Sequence, residues 1–149
     1  MVESLSLQLV QQAGQLNDSI SHFLSQKLVA KGYQAITPSL LGFLSTLECG
    51  SNYGSELARK LGVSRQMVAK TVRELCALGY LEQLDGPGKQ KQIVFTDRGE
   101  QLIAHARQCL AEIDQGLFKQ MGTGQVQAVV EQLKSINAYI DSTAPSTKP

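Results

Sequence analysis

The chain has 149 residues, of which 42% are hydrophobic and 18% charged, and its formal net charge is +1. That length suits one domain, or one domain with a helical extension, and the apolar content excludes a disordered chain. With aromatics at 5% and no tryptophan, a large aromatic ligand cage is not expected.

The first 35 residues carry Leu9, Ala13, Leu16, Ile20, Phe23/Leu24 and Leu28 at steps of three and four. That spacing predicts one long amphipathic helix, ended by Gly32. Thr37-Pro38 opens a second helix, threonine as N-cap and proline at the first helical position. Its apolar face is Leu40, Leu41, Leu44 and Leu47, and Gly50 is expected to close it. Ser51 or Asn52 then caps a short third helix through Glu56, Leu57, Ala58 and Leu61, broken by Gly62. Ser64 is a fresh N-cap for a fourth helix from Arg65 to about Leu78, with Val68, Val72, Leu75 and Leu78 on its apolar stripe. Gly79 suits the left-handed position beyond that helix.

The period then changes. Tyr80 to Leu84 and Lys89 to Phe95 read as two short strands joined by the turn formers Asp85-Gly86-Pro87-Gly88. Thr96 caps another helix, with Asp97 favouring its N-terminal dipole. Leu102, Ala106, Cys109/Leu110, Ile113 and Leu117 make its stripe. After Gly122-Thr123-Gly124, a last helix carries Val126, Val129/Val130, Leu133, Ile136 and Ile140. Residues 141–149 are a Ser/Thr/Pro tail expected to be disordered. The predicted fold class is mainly α with a small β-hairpin wing.

Charge is distributed unevenly along this frame. From Leu57 to Arg73 stand five basic residues (Arg59, Lys60, Arg65, Lys70 and Arg73) and no acidic one. Extending to Lys91 adds Lys89 and Lys91 against Glu74, Glu82 and Asp85, whereas residues 1–36 and 101–149 each balance at zero. A local basic face on a neutral frame is what a protein docking one surface on phosphates needs.

Two short helices joined by a glycine turn, the second serine-capped and basic on its polar face, make a helix-turn-helix. The major groove of B-DNA admits one helix. With Val68, Val72, Leu75 and Leu78 inward, Arg65, Gln66, Ala69, Lys70 and Arg73 lie largely outward. Arg65 and Gln66 sit in the first turn, where arginine can bridge guanine and glutamine adenine. Lys70 and Arg73 suit phosphate contact, and the hairpin with Lys89 and Lys91 forms a wing.

Several stretches resemble the MarR family of winged-helix transcription regulators across nearly the whole chain. They are Ile36-Thr37-Pro38, Glu56-Leu57-Ala58 before Leu61-Gly62-Val63-Ser64, Leu75 with Gly79-Tyr80-Leu81, and Phe95-Thr96-Asp97-Arg98-Gly99 after the wing. The resemblance implies a winged helix-turn-helix over residues 36–100, with dimerisation helices from both termini, residues 1–35 and 101–140. It implies DNA binding through Ser64, Arg65, Gln66, Ala69, Lys70, Arg73, Lys89 and Lys91. It also implies a homodimeric repressor on a pseudo-palindromic operator, released by an effector, for which small amphipathic or phenolic compounds are the family's pattern. Ala69 stands where the family often has threonine, and Lys70 where it often has arginine. Family members often carry Asp-x-Arg at the wing tip, where this chain reads Pro87-Gly88-Lys89. The alternative reading is a winged-helix protein-interaction module without DNA recognition. The dimer follows from the residues as well, because the first, fifth and sixth helices carry long apolar stripes with little in the chain to cover them.

Other chemistry has little foothold. Cys49 and Cys76 fall near helix ends, where a thiol can be exposed, and Cys109 falls on an apolar stripe. His22 and His105 lie on different helices without ligand-spaced partners, so no metal is expected. No nucleophile–base spacing or phosphate-cradling loop stands out, so no enzyme and no cofactor are expected. The opening Met1-Val2-Glu3-Ser4 lacks the pattern of a signal peptide, and an odd number of scattered cysteines fits a cytoplasmic protein with reduced thiols.

Overall fold

The computed structural model describes residues 4–34, 36–47, 50, 52–86 and 88–143. Its elements run α1 (Leu5–Ala30), α2 (Pro38–Ser45), β1 (Asn52–Tyr53), α3 (Gly54–Leu61), α4 (Arg65–Ala77), β2 (Leu81–Asp85), β3 (Lys91–Phe95), α5 (Asp97–Met121) and α6 (Thr123–Thr143). The chain divides into two units, Met1–Cys109 and Leu110–Pro149.

In the first unit, hydroxyl side chains start the helices at the places the sequence marks. The Leu40 amide donates to Thr37 Oγ1 at 3.1 Å, the Met67 amide to Ser64 Oγ at 3.1 Å and the Gly99 amide to Thr96 Oγ1 at 3.0 Å. Each cap satisfies an amide that the helix leaves without a partner, worth about 1 kcal/mol. Gly79 ends α4 with φ +86°, and the amides of Gly79 and Tyr80 donate back to the carbonyls of Cys76 and Leu75. This reversal turns the chain directly from α4 into β2.

The core lies where α2, α3 and α4 meet the hairpin and the start of α5. Leu44, Leu57, Val68, Val72, Leu75, Leu81, Ile93 and Leu102 are all buried there. Burying each such side chain contributes about 1.5–3 kcal/mol. The apolar stripe read on the fourth helix is the one that packs inward, which leaves its polar face outward.

A second, polar set of contacts ties the segment after α1 to α5. The Tyr33 hydroxyl hydrogen-bonds His105 Nδ1, and the Arg98 guanidinium stacks 4.3 Å from the Tyr33 ring centre while donating to the Gly32 carbonyl at 2.8 Å. The Tyr80 hydroxyl donates to the Gln34 carbonyl at 3.0 Å. His105, which offered no metal partners in the sequence, is thus a partner of Tyr33.

The hairpin is as expected, with shifted ends: β2 and β3 pair antiparallel in the register Leu81↔Phe95 to Asp85↔Lys91. The structure adds a strand that the sequence did not reveal. Asn52 and Tyr53 pair with Ile93 and Gln92, giving a three-stranded sheet in the order β1-β3-β2. Asn52, expected as a possible cap, is instead buried and donates from Nδ2 to the Ile93 carbonyl at 3.3 Å. The other candidate cap, Ser51, lies outside the described residues. Helix α3 starts behind Tyr53 with no side-chain cap.

Helix α2 also stops earlier than Gly50. Ser45 and Thr46 donate their hydroxyls to the carbonyls of Gly42 and Phe43, both at 2.7 Å. Hydroxyls that bond back in this way satisfy the last carbonyls and compete with a further helical turn.

In the second unit, α6 begins directly after Gly122, whose φ is +89°. It continues to Thr143, so residues 141–143, expected to belong to the disordered tail, are helical. The Ser142 and Thr143 hydroxyls bond back to the carbonyls of Tyr139 and Ile140. The rest of the tail lies outside the described residues. No residue of α6 is buried, and Val129, Val130, Ile136, Tyr139 and Ile140 all stand exposed on it.

Candidate nucleic-acid interface

Helix α4 has 13 residues, about 20 Å of helix at 1.5 Å per residue. Its buried residues Val68, Val72 and Leu75 define the inner face, and the helical step places Gln66, Lys70 and Arg73 on the opposite one. All three are exposed, as are Arg65, Lys89 and Lys91. Among the described residues, no carboxylate pairs with any of these five cations. Their charge is therefore presented to solvent outside any such ion pair, in an arrangement that attracts a polyanion.

Two of the eight sequence-derived residues have more specific surroundings. Ser64 is exposed, and its oxygen accepts from the Met67 amide, so its role in the structure is to start the helix. Ala69 is half-buried and lines a cleft between α4 and the wing.

That cleft, about 380 Å³ in volume, brings together parts that are distant in sequence. Arg65 and Ala69 enter it from α4, Lys91 and Gln83 from the hairpin, and Tyr53 and Ser55 from the strand and helix before. Arg65 is thus turned to the wing side of α4 and shares a cavity with Lys91, while Gln66 stands on the crest. The sequence missed Tyr53, Ser55, Gln83 and Gln90 because each enters only through the pairing of β1 and β2 with β3.

The wing carries its two lysines outward. Lys91 is the first residue of β3 and opposes Asp85, and Lys89 lies in the turn before it. Ile93, on the same parity as both lysines, is buried. The hairpin tip reaches past the core, so side chains on one strand face pass from interior to solvent within a few residues. The turn is closed by the Gly86 amide donating to the Gln90 carbonyl at 3.0 Å. Pro87 lies outside the described residues.

Cys76, on the last turn of α4, is half-buried, and its thiol is pushed above the ordinary cysteine range, first by burial and then by the Glu82 carboxylate. A raised pKa means less thiolate at any given pH, and thiolate is the reactive form. Iodoacetamide at mildly alkaline pH should therefore alkylate Cys76 several-fold more slowly than cysteine in an unfolded peptide, as followed by peptide mass spectrometry. An equal rate would contradict the burial described. Cys109 is buried on α5. Cys49 lies outside the described residues. Among the described residues, no group of three or more His, Cys, Asp or Glu side chains could hold a metal ion, and no helix is long and apolar enough to cross a membrane.

No protein-family model matches the chain, and no curated protein matches it. Solved structures do. A MarR transcriptional regulator from Methanosarcina mazei Go1 superposes with a TM-score of 0.71 at 18% identity, over 92% of this chain and 99% of that one. A mutant MarR from E. coli complexed with operator DNA gives 0.71 at 20% identity, over 90% and 99%. MepR, a transcription regulator of the Staphylococcus aureus multidrug efflux pump MepA, gives 0.68 at 16% identity, over 93% and 99%. From α1 to α6, the chain has the winged-helix fold of MarR-type transcriptional regulators.

Proposed function

We propose that the chain is a DNA-binding transcription regulator that acts as a homodimer on a pseudo-palindromic operator. The observation that carries this reading is the exposed set Gln66, Lys70 and Arg73 on the crest of α4, its cations without an ion pair among the described residues, on a capped helix of the length a major groove accepts. Gln66 reads base edges there, and Lys70 and Arg73 hold phosphates. Arg65 works with Lys91 from the cleft beside the wing, and Lys89 contacts the backbone from the turn. The same fold in a neighbour complexed with operator DNA supports the assignment.

The homodimer is supported by apolar side chains that the chain leaves uncovered. Leu5, Leu9, Val10 and Leu16 are exposed on α1, and the second unit exposes the stripe of α6. Burial of such stripes against a second copy contributes roughly 25 cal/mol per Å2 of apolar surface. Two copies related by a two-fold axis place their recognition helices about 34 Å apart, one turn of DNA. Action as a repressor released by a small amphipathic effector, in the cytoplasm and without enzymatic chemistry, extends this reading by likeness of fold alone.

Gel-shift and footprinting on the DNA flanking the chain's own coding region test the proposal. The chain is expected to protect two half-sites and to lose affinity steeply as salt rises, because phosphate contacts release counterions. Sedimentation should give twice the chain mass. No retention of any duplex at low salt, alongside capture of a protein partner, would establish the interaction-module reading instead.

A further inference from the structure

The recognition helix exposes one large apolar side chain in an otherwise polar setting. Met67, the third residue of α4, is 56% exposed, and Val63, just before the cap, is 36% exposed. The other exposed residues of the helix are Arg65, Gln66, Lys70, Arg73, Glu74 and, at its far end, Ala77. Met67 follows Gln66 directly and precedes Lys70 by one helical step, so it stands among the groups assigned to DNA. Its backbone is held there by the hydrogen bond that its amide donates to Ser64 Oγ.

An uncovered methionine flanked by Gln66 and Lys70, with Glu74 two turns on, does not suit a wholly apolar protein partner, which would have to bury the charge of Lys70 beside it. It does suit a surface that is anionic overall and apolar at isolated points. The major groove is such a surface: phosphates line it, and its apolar feature is the C5-methyl group of thymine. Methionine, unbranched and polarizable, can follow a methyl group whose position differs slightly between sites.

We propose that Met67 determines sequence specificity by packing against a thymine C5-methyl group in each half-site. This inference rests on the DNA-binding reading above and names what one part of that site recognises. Gln66 and the cations supply hydrogen bonds and charge, and Met67 adds a contact that discriminates thymine from any base lacking the methyl.

The test uses the full chain and the duplex it selects best from a random pool. Each thymine of that duplex is replaced in turn by uracil, which keeps every hydrogen-bonding group and lacks only the methyl. At one position in each half-site the replacement should weaken binding about fourfold, the value of one buried carbon. Replacing both half-sites together should weaken it about sixteenfold on the same basis. Met67→Ala should bind the thymine and uracil duplexes equally, and Met67→Leu should retain most of the preference. Unchanged melting temperatures for both variants would confirm that the fold is intact, as expected for an exposed side chain. Uracil tolerated at every position, or a preference that survives in Met67→Ala, would overturn the proposal while leaving DNA binding standing. Failure to select any duplex would overturn the DNA-binding reading, and this inference with it.

Discussion

Gly99→Ala is expected to destabilise the protein by about 3 kcal/mol or more, at the upper end of what overpacking costs. Gly99 is in the first turn of α5, and a Cβ built there would fall inside the envelope of the Tyr80 carbonyl oxygen and 3.0 Å from Phe95 Cδ1. Neither neighbour can easily retreat. The Tyr80 carbonyl already accepts the Thr96 amide at 3.1 Å, and Phe95 closes β3 against Leu81. The clash is with backbone, which no rotamer change relieves. Thermal melts followed by circular dichroism should show a loss of about 10 °C for a domain of this size. Gly116, on the same helix, is the control: a Cβ there meets nothing within 4 Å. Gly116→Ala should hold or raise the melting temperature, since alanine is the better helix former by about 1 kcal/mol. A Gly99→Ala protein that melts with the parent would mean that α5 and the Tyr80 turn are not packed as described.

Replacing Lys70 and Arg73 together by glutamine should act on the salt dependence of DNA binding more than on anything else. Both are exposed on α4 and, among the described residues, pair with no carboxylate, so no such ion pair is lost when they go. A homodimer would lose four phosphate contacts per operator. The slope of log affinity against log salt should then fall by about 3 to 4, at roughly 0.9 per contact. The loss should be nearly uniform across DNA sequences, because phosphates carry no base identity. Lys134→Gln, on an exposed α6 lysine that pairs with Glu131 at 3.3 Å, should leave the slope unchanged. A double variant with the parental slope would remove these two residues from the interface.

Much of this architecture can be read locally, for a physical reason. Thr37, Ser64 and Thr96 act on amides three residues ahead, and Gly79 acts on its own backbone dihedral, so each announces itself within a short window. The inward stripe of α4 is equally local, since a helix with one apolar face has one way to pack it. What escaped was decided at a distance. Asn52 and Tyr53 carry no alternation long enough to mark a strand, and only Ile93 and Gln92, some forty residues on, make them one. The early stop of α2 follows from the Ser45 and Thr46 hydroxyls, whose choice of partner no periodicity records. For the candidate site, the outward set Gln66, Lys70 and Arg73 followed from the helical period. The turn of Arg65 into the wing cleft, and the company it finds there, required the sheet to be assembled first. Met67 does not stand out in the sequence, and only its exposure in the folded chain sets it apart.

Thr96 has a mechanical consequence beyond its role as a cap. Its hydroxyl donates to the Gly79 carbonyl and accepts from the Gly99 amide, while its own amide donates to the Tyr80 carbonyl. The exit of α4 and the entry of α5 therefore share one pivot, with no slack segment between them. A torque on α5 must either swing the far end of α4 with it or break these bonds, so the two helices behave as two arms of one lever.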